Sequence, residues 1–205
     1  MAETGPKPRQ GLLFNAGAGT TGAPAQPPPL LREQILAWQS RIASHQASLF
    51  RQDPASSEQG SLFASPTRCL DPHDAARRLD PLALQAQSLA FWRWPSAPQS
   101  GAAIYLVLDR PAHITEPLVL YVGETGQADR RWKGDHDCKS YLAAYSEALS
   151  RAGLSAQLAI RFWCDVPLAL KPRRALEQAL IRLWLPPFNK ETRGRWATPF
   201  THEAG

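Results

Sequence analysis

Cysteine is scarce in this chain of 205 residues, which contains only three. Cys69, Cys138 and Cys164 are odd in number, lie far apart and include no Cys-x-x-Cys pair. This pattern argues against a disulfide scaffold and against a cysteine-rich zinc site. We therefore expect a reducing, cytoplasmic location.

Long apolar runs are also missing. No segment approaches the roughly 20 apolar residues that a membrane helix needs, and the N-terminus lacks the apolar core of a secretory signal. We therefore expect a soluble protein without a membrane partner. The hydrophobic content of 43% is enough for one compact domain with an extension. The net charge of +5 is a modest excess that fits a polyanionic partner.

The first hundred residues predict a tail and a helical arm. Residues 1–29 are rich in Gly, Ala, Thr and Pro, a composition typical of a disordered segment. Residues 30–100 form the predicted arm, in which apolar residues from 30 to about 51 recur at helical spacing. That helix would pack on the following unit or mediate self-association. Two shorter helices are expected at 72–79 and 81–91, followed by an aromatic cluster.

A short pattern, Gln-x-Ser-Leu-Phe, occurs twice in the arm, at 46–50 and 59–63. It resembles the peptide with which bacterial DNA-repair and replication proteins dock on the sliding clamp. The first copy overlaps the predicted helix, so core packing is expected there. The second copy lies in a polar linker, where Gln59, Leu62 and Phe63 would form the docking contacts.

Residues 101–191 alternate strand and helix patterns in the order β-β-α-β-α, and residues 192–205 form a tail. This order predicts an α/β fold with a small antiparallel three-stranded sheet flanked by helices. The expected strands are 102–109, 118–124 and 154–163, and the expected helices lie within 131–149 and at 173–185.

Five residues of this unit combine into a plausible phosphodiester-cleaving site. Tyr105 and Tyr121 lie on the two strands of a hairpin and can point to one face. Arg131 is placed at a helix start, where backbone amides also favour a phosphate. Glu177 lies near the start of the last helix, and Asn189 follows the double proline that ends it.

These residues, in this order, resemble the GIY-YIG nuclease family across residues 101–191. The two halves of the family signature correspond to Ala103-Ile104-Tyr105 and Tyr121-Val122-Gly123. The resemblance implies a DNA endonuclease in which Glu177 binds one Mg²⁺ or Mn²⁺. It further implies that a tyrosine activates water, that Arg131 stabilises transition-state charge, and that Asn189 holds Glu177 or the phosphate.

The chain departs from the family pattern at several positions. Ala103 replaces a glycine, and Glu124 adds an acid directly after the second motif. Asp135 stands where relatives carry His or Tyr, so His136, one residue later, is the candidate helper of the tyrosine. Arg130 is a second candidate for the arginine role. The residues expected to contact DNA are basic: Arg130, Lys133, Lys139, Lys171, Arg173 and Arg174.

Several functions remain open from sequence alone. A structure-selective nuclease of DNA repair or recombination is favoured, with clamp docking as support. A restriction-type endonuclease is the alternative, and a helical arm would then supply the homodimer that double-strand cutting requires. A non-catalytic nucleic-acid-binding module that retains the fold, and a docking adaptor acting through residues 30–65, belong to other classes.

Overall fold

The computed structural model describes residues 32–51, 71–90, 99–130 and 137–197. Within these ranges the chain forms five helices and one four-stranded antiparallel sheet. The helices are α1 Arg32–Phe50, α2 Pro72–Arg78, α3 Asp137–Arg151, α4 Leu170–Trp184 and α5 Lys190–Trp196. The strands are β1 Ala86–Gln87, β2 Ala103–Asp109, β3 Leu118–Thr125 and β4 Ala159–Trp163. The predicted α/β class with an antiparallel sheet is confirmed.

The strand order is β1-β4-β2-β3, so β2 is paired on both sides and β3 lies at one edge. Every residue of β2 is buried, as expected for a continuous apolar run covered on both faces. A bulge interrupts the β2–β3 pairing between Val107 and Leu108.

Helices cover both faces of the sheet, and alternate residues of β2 enter two different cores. Tyr105 and Val107 join a cluster with side chains of α1, α3 and α5. Ile104 and Leu106 join a second cluster with side chains of α2 and α4. The period-two alternation of a strand therefore separates the tyrosine side of the sheet from the α4 side.

The sheet has one strand more than predicted, because residues 81–90 form turns and β1 where a helix was expected. Ala86 and Gln87 pair with Arg161 and Ile160 on β4. The Arg161 guanidinium also donates to the carbonyls of Leu82 and Leu84. These long-range contacts outweigh the local helical pattern. Strand β4 begins at Ala159, five residues later than predicted.

Helix α4 begins three residues earlier than predicted, at Leu170, because Pro172 is accommodated in the first turn. Its predicted end before the double proline is confirmed. Leu185 adopts a left-handed conformation there, with φ 46°, and donates its amide to Ile181. Helix α5 was not predicted, and it brings Trp196 into the first core cluster.

Helix α1 packs directly on the sheet through Ile35, Trp38 and Ile42, which are buried in the first cluster. The predicted tail at 1–29 and the aromatic cluster of Phe91, Trp92 and Trp94 lie outside the described residues. Among the helices of the described ranges, none has the length and apolarity needed to cross a bilayer.

The first Gln-x-Ser-Leu-Phe copy is core, as expected. Gln46 is buried, and its amide group pairs with the outer edge of β3: Val119 N donates to Oε1 at 2.8 Å, and Nε2 donates to Val119 O at 3.0 Å. Nε2 also donates to the Trp184 carbonyl at 2.8 Å. Leu49 and Phe50 pack against the second cluster. Gln46 thus joins α1, β3 and the end of α4.

Replacing Gln46 by alanine is expected to lower the free energy of unfolding by about 2–4 kcal/mol, because buried backbone groups of β3 lose their partners. Chemical denaturation would measure the change. Gln34→Ala is the matched control, since Gln34 lies exposed on the same helix and should change stability by less than about 0.5 kcal/mol. Equal effects of the two substitutions would contradict this role of Gln46.

Candidate active site

The outer edge of β3 gathers two of the predicted site residues. Val122 N donates to Asn189 Oδ1 at 3.0 Å, and Asn189 Nδ2 donates to Val122 O at 2.8 Å. Two residues further along, Glu124 N donates to Glu177 Oε1 at 2.9 Å. Asn189 and Glu177 therefore bind the backbone at successive outward-facing residues of one strand.

The contacts of Asn189 differ from the role expected from sequence, in which it would hold Glu177 or a phosphate. Its side chain is buried and both polar atoms bind Val122. The neighbouring amide of Phe188 donates to Leu120 O at 3.1 Å. These bonds attach the turn after α4 to β3, so Asn189 fixes the strand on which Glu177 is held.

The two tyrosines lie side by side, as their places on paired strands predict. Their ring centroids are 5.9 Å apart with an interplanar angle of 29°. Tyr105 is fully buried, whereas Tyr121 is only partly buried. Tyr121 is therefore the tyrosine with access to solvent.

Gly123 makes room for the ring of Tyr105. The two residues are register partners across β2 and β3. A Cβ atom at Gly123 would lie 2.5 Å from both Cζ and Oη of Tyr105. Only glycine allows this close approach, because real Cβ contacts are longer. The glycine of the second motif thus determines where the Tyr105 ring can lie.

The Glu177 carboxyl is partly buried, and burial is the main reason that its pKa is raised from 4.5 to about 7. The hydrogen bond from Glu124 N lowers the pKa, while the negative charges of Glu124 and Glu191 raise it and Arg174 lowers it. A carboxyl with a pKa near neutrality is typical of a functional site.

Glu124 lies between two arginines of α4. Arg173 Nε is 2.9 Å from Glu124 Oε2, and Arg174 Nε is 3.5 Å from Oε1. The Arg173 side chain is only 4% exposed, whereas that of Arg174 is 63% exposed. Arg173 was expected to contact DNA, but its guanidinium is enclosed and paired with Glu124. Arg174 presents its charge to solvent.

The other described basic residues that were expected to contact DNA differ in exposure. Lys171 is exposed near the start of α4, and Lys139 is partly buried on α3. Arg130 is exposed and pairs with Asp129 at 3.6 Å. Six further predicted site or docking residues lie outside the described ranges: Gln59, Leu62, Phe63, Arg131, Lys133 and His136.

The site fits one oxygen-preferring cation on a single carboxylate. Among the described residues, no cluster of three or more His, Cys, Asp or Glu side chains could enclose a metal ion. Within the described residues Glu177 accepts the hydrogen bond of Glu124 N on Oε1, so Oε2 is the oxygen that could bind a cation. Mg²⁺ is commonly held by one or two carboxylates together with water and substrate phosphates.

The comparisons with known proteins return no match. No family model, no curated protein and no solved structure is similar enough to this chain to be identified as a relative. The geometry of the β3 edge and the sequence motifs on it are therefore what any functional proposal must rest on.

Sequence reasoning missed the contributions of Glu124 and Arg173. The sequence identified Glu124 only as an acid directly after the second motif, and Arg173 only as a basic residue expected to contact DNA. One signal was present in the sequence: Arg173 and Glu177 lie four residues apart and so share one face of α4. In the structure both contact Glu124.

Gly123→Ala is expected to destabilise the protein by about 1–3 kcal/mol, because the new methyl group overlaps Tyr105. Thermal unfolding would measure this loss. Gly194→Ala is the control, since a Cβ there meets no atom within 4 Å and alanine favours a helix by about 1 kcal/mol. A Gly123→Ala protein as stable as the wild type would contradict the described position of Tyr105.

Glu177→Gln is expected to be more stable than the wild type at pH 8, by about 1–2 kcal/mol after allowance for solvent screening. The folded pKa of Glu177, about 7, lies above its ordinary value of 4.5. Its contribution to stability is thus fully present below pH 4.5 and is lost as the pH rises through 7. Glutamine, which stays neutral, escapes this loss.

Denaturation of both proteins from pH 4.5 to pH 8 checks this expectation. The stability difference between Glu177→Gln and the wild type should grow with pH across this window. A difference that is constant, or that grows towards acid, would show that the Glu177 carboxyl is not raised in pKa.

Proposed function

We propose that this protein is a divalent-metal-dependent DNA endonuclease of the GIY-YIG type. The observation that carries the proposal is the position of Glu177, whose carboxyl is held at the end of β3. Glu177 is bound there by Glu124 N. Gly123, the residue before Glu124, lies against the ring of Tyr105, and that ring stacks on Tyr121. In this proposal β2, β3, β4, α3 and α4 form the nuclease unit, and β1 is an addition from the arm.

Glu177 would hold the Mg²⁺ or Mn²⁺ through its free oxygen. A cation bound there supplies Lewis-acid polarisation of the scissile phosphate and lowers the pKa of bound water. Since protons and metal ions compete for the same carboxylate, the raised pKa of Glu177 makes metal affinity fall as the pH drops below about 7.

Tyr121 is the better placed of the two tyrosines to contact a phosphate, because part of its surface reaches solvent. A tyrosine hydroxyl has an ordinary pKa of about 10, so it acts as a base only when neighbouring positive charge favours its ionised form. Tyr105 orients Tyr121 through the stacked rings. Arg131 and His136 keep their proposed roles in stabilising charge and in assisting the tyrosine.

The DNA backbone would approach along the start of α4, where Lys171 and Arg174 are exposed. Lysine and arginine contacts to phosphates give affinity that is independent of sequence and that weakens with salt. The enzyme therefore needs another source of target choice. We propose a structure-selective role in repair or recombination, with Gln59–Phe63 as a clamp-docking peptide.

The burial of Tyr105 favours one rival function. A fully buried tyrosine and a glutamate that caps a strand edge are also what a fold-retaining, non-catalytic DNA-binding module would keep. The rival predicts DNA binding without metal-dependent cleavage.

Cleavage of labelled linear duplex, flap, splayed-arm and four-way-junction DNA in Mg²⁺ or Mn²⁺ separates these functions. We expect metal-dependent cutting, with at least one branched substrate preferred over linear duplex. Glu177→Gln should lower kcat at least 100-fold, although glutamine can still accept the hydrogen bond of Glu124 N. The fold and DNA affinity should therefore remain.

Glu191→Gln serves as the matched control, because Glu191 is an exposed acid that acts on Glu177 only through its charge. It should retain cleavage within a few-fold. DNA binding without cutting by the wild type, unchanged in Glu177→Gln, would reject the nuclease and support the binding module.

A further inference from the structure

Arg173 occupies an enclosed position at the start of α4. Besides its 2.9 Å contact with Glu124, its Nη1 donates to the carbonyls of Pro167 at 3.1 Å and Leu168 at 2.6 Å. A planar guanidinium can bind a carboxylate and backbone carbonyls at the same time, which a lysine ammonium does less well. Arg173 thus connects the loop before α4 with the end of β3.

Helix α4 holds Glu124 at two points that lie one turn apart. Arg173 binds the Glu124 carboxylate, and Glu177 accepts from the Glu124 amide. A change in the position of Glu124 would therefore be transmitted to the carboxyl of Glu177. The Glu124 side chain is only 14% exposed, so its negative charge needs a partner inside the protein.

We propose that Arg173 is a positioning residue that acts through Glu124 to fix the carboxyl of Glu177 for metal binding. This inference rests on the proposed function, in which Glu177 is the metal ligand. It also explains how an acid is tolerated directly after the second motif. Arg173 neutralises Glu124 from inside the protein, so the exposed Arg174 and Lys171 remain to attract phosphate.

The test compares three variants of the full chain. Arg173→Met removes the guanidinium, and Arg173→Met with Glu124→Gln removes both charges, so that no buried carboxylate is left unpaired if the single variant folds poorly. Arg182→Met is the matched control, because Arg182 is an exposed arginine on the same helix. Thermal unfolding sets a working temperature at which every variant is folded.

Two kinds of measurement separate positioning from stability and from DNA contact. Hydrogen exchange reports whether the Glu124 amide keeps its bond to Glu177. Mn²⁺ affinity, from the electron paramagnetic resonance of free Mn²⁺, and kcat and KM for DNA report the consequence. We expect faster exchange of the Glu124 amide in both Arg173 variants. We also expect Mn²⁺ affinity at least tenfold weaker, a lower kcat and an unchanged KM for DNA.

Arg182→Met should match the wild type in all of these measurements. Unchanged Mn²⁺ affinity in both Arg173 variants would overturn the inference, whether or not amide exchange changes. A raised KM for DNA with unchanged Mn²⁺ affinity would also overturn it, and would return Arg173 to direct DNA contact. A wild type that binds no Mn²⁺ would instead overturn the proposed function, and the inference with it.

Discussion

The outer edge of β3, which no further strand of the described chain covers, is the constraint on which the rest of the site depends. An edge strand presents amide and carbonyl groups that have no neighbouring strand, and buried groups of this kind must find partners. Here side chains supply the partners at three outward positions of the strand. Three strand amides donate to side chains: Val119 N to Gln46, Val122 N to Asn189 and Glu124 N to Glu177.

This solution ties separate parts of the chain to one strand. Gln46 comes from α1, Glu177 from α4, and Asn189 from the turn between α4 and α5. The same bonds that close the edge therefore place a half-buried carboxyl at the end of β3. In the proposed function Glu177 is both a structural contact and the metal ligand. A substitution that keeps its hydrogen bond and removes its charge therefore separates the two roles.

The charged side chains around the Glu177 carboxyl differ in how deeply they are buried. Glu124 brings a second negative charge close to Glu177 and raises its pKa. The enclosed Arg173 and the exposed Arg174 both pair with Glu124. The buried pair is fixed by three contacts of the guanidinium, whereas an exposed arginine exchanges its partner at little cost. One arginine can therefore serve the fold while the other stays available to a polyanion.

Periodicity was sufficient to predict β2, β3, α1 and α4 to within a few residues, because their apolar faces are long and regular. Helix α2, predicted at 72–79, is short and has one buried side chain, Ala76. Strand β1 could not be predicted, since its two residues are ordered by pairing with β4. Helix α5 has the charged sequence Lys190–Trp196 and is ordered through the burial of Trp196.

The order of the motifs predicted Glu177 and Asn189 as site residues, and both bind the outer edge of β3. Their partners could not be predicted, because edge bonds to backbone groups leave no periodic signal. The burial of Arg173 was equally hidden, since an arginine in a basic run is usually exposed. Tertiary contacts determine both the edge partners of Glu177 and Asn189 and the burial of Arg173.

The most direct test of the central claim is the paramagnetic broadening of backbone amide signals by Mn²⁺. If Glu177 is the metal ligand at the end of β3, broadening should centre on the amides of Glu124 and Glu177 and disappear in Glu177→Gln. Broadening that centres elsewhere, or that persists unchanged in Glu177→Gln, would contradict a metal site at this edge.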